Sequence, residues 1–92
     1  MYEVILSDSN FQVFKEEVDG NVWVHFECSR LTTSSMKLIL TSIDSIVEQY
    51  GSLYGSIQHN DKRMRAMALR CGFKHICNIR TQDGVRSIYI RE

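Results

Sequence analysis

One stretch, Asp61-Lys-Arg-Met-Arg-Ala-Met-Ala-Leu-Arg-Cys-Gly72-Phe73, constrains the fold of this chain more than any other. Asp61 is of the type that caps a helix start, Met64, Met67, Ala68 and Cys71 recur at the spacing of one buried helix face, and Gly72 is a helix stop. The segment is therefore a short helix that must lie on an apolar surface. Arg63, Ala66 and Arg70 share its outward strip, with Lys62, Arg65 and Leu69 beside it. The chain beyond Gly72 has to supply part of that surface, and Lys74 to Gln82 and Val85 to Arg91 around Asp83-Gly84 predict a strand hairpin.

The preceding chain supplies the rest. Tyr2 to Leu6 is a short apolar run ended by Ser-Asp-Ser-Asn, which predicts a first strand and a turn. Phe11 to Val18 and Asn21 to Cys28 flank Asp19-Gly20, a pair suited to the positive φ angles of a tight hairpin. Val22, Val24, Phe26 and Cys28 alternate with polar or mixed residues, so the second arm is a strand with one face on a core. The first arm is open at this level, because Phe11, Phe14, Lys15 and Val18 also suit a helix. Thr32 to Ser35 offer caps for an amphipathic helix carrying Met36, Ile39, Leu40, Ile43, Ile46, Val47 and Tyr50, with Gly51 as its stop. Leu53 to Gln58 then returns to the sheet. The right-handed crossover rule places the 33 to 50 helix between two parallel strands.

The predicted class is α/β (α+β): one mixed, mostly antiparallel sheet of five to six strands with two helices, in the order β-β-β-α-β-α-β-β, as a single domain over residues 1–92. Ninety-two residues leave little beyond this sheet, so a deep enclosed pocket is not expected. The net charge is zero, but its halves are not neutral. Residues 1 to 51 hold eight acids and three bases, whereas residues 52 to 92 hold three acids and eight bases. Either the halves neutralise each other in the fold or the second presents a basic face to an anionic partner. Three cysteines without regular spacing, and no apolar run near the ~20 residues of a membrane span, predict a cytoplasmic protein with reduced thiols and no membrane contact.

From Leu53 to Phe73 the chain resembles the Gcn5-related N-acetyltransferase family, and with the preceding strand and helix the likeness extends over about 70 residues. The resemblance implies the C-terminal half of that fold, in which a helix N-terminus holds the pyrophosphate of acetyl-CoA. The family's loop of Arg or Gln, two residues, Gly, one residue, then Gly or Ala corresponds to Arg30-Leu31-Thr32-Thr33-Ser34-Ser35. Thr33 and Ser35 stand at the small-residue positions and narrow the approach of a pyrophosphate. The alternative acetyl-CoA loop is thus Arg30, Thr33, Ser34 and Ser35. The tyrosine that serves the family as general acid corresponds to Ala68, which has no proton to give. The strands and helices that precede this part of the fold in the family, and build the acceptor side, have no counterpart here.

Other constellations are weaker. His25-x-x-Cys28 and Cys71-x-x-x-His75-x-Cys77 do not have the spacing of a zinc knuckle, and no metal is expected. Glu16 and Glu17 are adjacent and face opposite ways on a strand, and nothing marks a nucleophile turn. His25, His59 and His75 read as surface or edge residues. The remaining set is basic: Arg63, Arg65, Arg70, Lys74, Arg80 and Arg86, joined by Arg30, with the guanidinium fork suited to phosphates and carboxylates.

Taken together, these features lead to the expectation of a non-catalytic binding protein without cofactor or catalytic residues. It would be phage or mobile-element encoded, would act in the host cytoplasm, and would be a monomer or weak homodimer. It would dock through the arginine face on a host protein or ribonucleoprotein complex, with contact to a nucleic-acid backbone, in the manner of an anti-CRISPR inhibitor. The alternative is a minimal acetyl-CoA-dependent N-acetyltransferase, completed by dimerisation. A third reading is a homo-oligomeric structural part whose sheet edge is covered by another copy.

Overall fold

The computed structural model describes residues 2–30 and 32–92. Eight elements succeed one another: β1 (Tyr2–Ser7), β2 (Phe11–Val18), β3 (Asn21–Cys28), α1 (Thr33–Tyr50), β4 (Leu53–Gln58), α2 (Lys62–Arg70), β5 (Lys74–Thr81) and β6 (Gly84–Arg91). The order and class match the expectation. The stretch left open between helix and strand is β2, because pairing with β3 along its whole length outweighs the helical spacing of its apolar residues.

The six strands form one sheet in the order β1-β2-β3-β4-β6-β5. All neighbours are antiparallel except β3 and β4, which are parallel and joined by α1. Asp19 and Gly20 take φ of 52° and 82° in the β2–β3 turn, which sets Val18 opposite Asn21 and hence the register of the whole hairpin.

Two successive crossovers of one hand, each advancing in the same direction across the sheet, lay both helices on one face. There Val13, Val24, Leu53 and Tyr89 pack with Ile39 and Ile43 of α1, with Met67 and Ala68 of α2 and with its C-cap Cys71. The Thr32 side chain caps α1 by accepting from the Ser35 N–H at 3.1 Å. Asp61 caps α2 in the same way, accepting from Met64 N–H at 3.1 Å. At the other end the Phe73 N–H donates to the Ala68 carbonyl and the Gly72 N–H to the Leu69 carbonyl, the double bond pattern of a Schellman stop. It requires a left-handed residue, and Gly72 has φ of +85°.

The opposite face carries no helix among the described residues. Register places Tyr2, Glu16, Trp23, Tyr54, Ile90 and Lys74 in one row across it, one from each strand. Val4, Phe14 and His25 form the next row on the β1 side, continued by Ser56, Ile88 and Cys77 on the other. Its aromatic groups touch one another: the Tyr2 ring meets Phe14 at 6.3 Å and His25 at 5.0 Å, and Trp23 lies 5.2 Å from Tyr54.

Candidate functional site

The parallel strands at the centre of the sheet barely pair. Trp23 with Tyr54 and Val24 with Gly55 are the only partners across β3 and β4. Beyond them the strands part toward their C-terminal ends and open a slot of about 290 Å³. Residues of both sheet faces line the slot. Val24, Phe26, Gly55 and Ile57 form its walls on the helix side, Met64 and Ala68 of α2 cover it, and His25, Ser56, Gln58 and Arg86 line it from the helix-free side. Parting leaves strand-edge backbone N–H and C=O groups available to an extended ligand. Gly55 contributes no side chain to block the passage.

Two polar side chains on the slot wall are held in place. Tyr89 enters from the helix side, and its hydroxyl accepts from Nε of Arg65 at 3.3 Å, while another Arg65 nitrogen donates to the His59 carbonyl at 2.8 Å. His25 stands on the other side with Nε2 3.3 Å from a Glu16 carboxylate oxygen. The hairpin register puts His25 opposite Phe14, so Glu16, two residues along on the same face, is its diagonal neighbour.

The α1 N-terminus lies at the end toward which the slot widens, since α1 comes directly after β3. Thr33 and Ser34 are exposed there, and so is Arg30. Ser35 is buried, its N–H taken by Thr32 Oγ1 and its hydroxyl 2.8 Å from the same oxygen. Leu31, within the loop matched to the family, lies outside the described residues.

The basic residues are scattered. Arg63 and Arg70 are exposed on α2, Arg65 is drawn inward to Tyr89, and Arg86 is committed to Ser56 through bonds of 2.7 and 2.9 Å. Lys74 and Arg80 are exposed on β5 but stand on opposite faces of the sheet, level with Ile90 and Val85. Of the cysteines, Cys71 is buried under α2 and Cys77 is exposed on β5; among the described residues no three His, Cys, Asp or Glu side chains converge as a metal would need. Among the described residues no helix is long and apolar enough to cross a membrane.

No family model and no curated protein sequence matches the chain. Solved structures do. The ribosomal-protein-S5-alanine acetyltransferase from Vibrio fischeri aligns with a TM-score of 0.76 at 6% identity, over 89% of this chain and 53% of that one. The chain has the Gcn5-related N-acetyltransferase fold. The ribosomal-protein-S18-alanine N-acetyltransferase from Escherichia coli shares that fold with a TM-score of 0.68 and 15% identity, over 97% of this chain and 66% of its own. RimJ from Mycobacterium smegmatis, solved with CoA-disulfide, gives 0.69 and 11%, over 89% and 46%. The chain thus spans about half to two thirds of the length of the acetyltransferases it matches.

These findings correct the expectation of a non-catalytic inhibitor. That expectation took the acetyltransferase-like cleft as given up and the arginine surface as what remained. The slot is retained, the solved structures of the same fold are acetyltransferases, and Arg65 and Arg86 face inward. The accompanying expectation that the chain is no enzyme falls for the same reason. Tyr89 was not singled out in the sequence and His25 read as a surface or edge residue, because neither lies in the motif that carries the family likeness. The sequence did hold a signal for one of them: Asp19-Gly20 sets the hairpin register, and register brings His25 beside Glu16.

Proposed function

We propose that the chain is the acyl-CoA-binding part of an N-acyltransferase, acting in the slot between β3 and β4. The observation that carries this reading is the parting of two parallel strands after two residue pairs, directly below the N-terminus of α1. An apolar passage with free strand-edge backbone fits a pantetheine arm. At its wide end, the helix dipole, the exposed Thr33 and Ser34 hydroxyls and Arg30 suit phosphates. The acyl thioester would supply an activated carbonyl that an amine attacks, with a thiol as leaving group.

The chain's own groups fit the two proton movements this reaction needs. His25, held by the Glu16 carboxylate, is placed to take a proton from an amine that enters by the open end of the slot. Tyr89 accepts its hydrogen bond from Arg65, which leaves the hydroxyl proton for a slot occupant. It does the work for which Ala68 is unsuited. The test is binding followed by turnover. Acetyl-CoA at 100 times its dissociation constant should stabilise the native state by about 2.7 kcal/mol, and desulfo or free pantetheine should do so less. No shift in melting temperature with millimolar acetyl-CoA would refute the reading.

A further inference from the structure

The helix-free face of the sheet carries apolar side chains and a particular charge pattern. Tyr2 and Val4 at one edge and Ile79 at the other are 59%, 54% and 45% exposed, and the partly exposed Trp23 and Tyr54 lie between them. Apolar side chains gathered on one face among polar ones mark an interaction surface. The fold also sorts charge across it. Residues 1 to 51 make β1, β2, β3 and α1, and residues 52 to 92 make β4, β5, β6 and α2, so the acidic half of the sequence occupies one side of the sheet and the basic half the other. On the helix-free face itself, Glu16 and Glu27 stand on β2 and β3, and Lys74 and Arg86 on β5 and β6.

We infer that a second copy of this chain packs on this face, sheet against sheet. The two-fold axis runs parallel to the strands, between β3 and β4. That axis lays β3 over the second copy's β4, β2 over its β6 and β1 over its β5, so each acidic half meets a basic half. A two-fold axis across the strands would instead set acid over acid and base over base, and like charges facing one another across sheets about 10 Å apart repel. Charge therefore selects one of the two ways of closing the apolar face. Trp23 comes over the second copy's Tyr54 at the centre, where β3 and β4 are still paired. The open end of the slot lies toward the rim of the contact, so the inference stands whether or not the slot binds acyl-CoA.

Sedimentation velocity over about three decades of concentration, at low and high salt, tests it. The expected particle has twice the 10.7 kDa of one chain, and raising salt to about 0.5 M should weaken it several-fold. Trp23 is the chain's single tryptophan, so its emission should shift to the red as dilution dissociates the dimer. V4E combined with I79E, both at exposed positions, should raise the dissociation constant at least about tenfold while the circular dichroism of the monomer is unchanged. A monomer at all concentrations overturns the inference. So does a dimer whose formation leaves Trp23 emission unchanged, or one that salt does not weaken.

Discussion

Arg65 on α2 donates to the hydroxyl of Tyr89 on β6, and the pair ties the helix that covers the slot to the strand that walls it. The guanidinium is also anchored on the His59 carbonyl at 2.8 Å, so its position does not depend on Tyr89. Y89F should therefore leave the fold and acetyl-CoA affinity nearly unchanged. It should lower kcat by about tenfold to a hundredfold, as loss of a general acid does. Steady-state kinetics with KM and kcat separated is the measurement; an unaltered kcat removes Tyr89 from the reaction.

The proposed base His25 is held by Glu16 at 3.3 Å. H25Q should depress kcat by about a hundredfold and leave acetyl-CoA affinity nearly unchanged, as loss of a general base does. E16Q should reduce kcat less, since the carboxylate orients the ring and does not itself take the proton. Steady-state kinetics of the two variants is the measurement, and an unaltered kcat in H25Q would place the base elsewhere.

Thr33 is exposed at the α1 N-terminus, where in the proposed phosphate site its hydroxyl can donate but its methyl group holds the phosphate off the backbone N–H groups. T33G should tighten coenzyme A binding a few-fold, while costing up to about 1 kcal/mol of helix stability. Calorimetric titration of the two proteins decides between this and a phosphate site away from α1.

Cys71 is 2% exposed, and burial pushes its thiol up from 9.0 to about 11, against the opposing pull of Arg91. Below pH 9 the thiol is protonated in both the folded and unfolded chain. Between 9 and 11 the unfolded chain ionises first, so this contribution to stability, about 2–3 kcal/mol, is lost as pH rises. Denaturant unfolding of wild type and C71A should show their difference in stability shrinking over that range. Thiol labelling at neutral pH should modify Cys77 quickly and Cys71 only on unfolding.

Arg91 bridges the C-terminal end of α2 and the side of α1, donating to the Cys71 carbonyl at 2.6 Å and to Asp44. The Asp44 side is exposed and adds little, whereas the bond to an unpaired helix-end carbonyl is partly buried. R91A should cost about 1–2 kcal/mol in urea unfolding, and D44A distinctly less. Equal losses would assign the stability to the ion pair.

Much of this architecture was legible because it is local. Asp61, the stripe of Met64, Met67, Ala68 and Cys71, and Gly72 define α2 within one short segment, and Asp19-Gly20 defines a hairpin and its register. The slot was not legible, since it depends on where two strands far apart in the chain stop pairing. Ala68 read as a missing acid, and nothing near it in sequence pointed to a hydroxyl from β6 entering the same space.

The chain's order of elements, its caps and turns, and its division into an acidic and a basic half are properties of the sequence itself, because each rests on neighbouring residues or on a count. Only the tertiary structure decided that the Asp61 to Phe73 helix covers a slot between two parting strands, that Arg65 is turned to Tyr89 and not outward, and that the two charged halves end on opposite sides of one sheet. Those outcomes arise from pairing register and crossover direction, which join residues far apart in the chain.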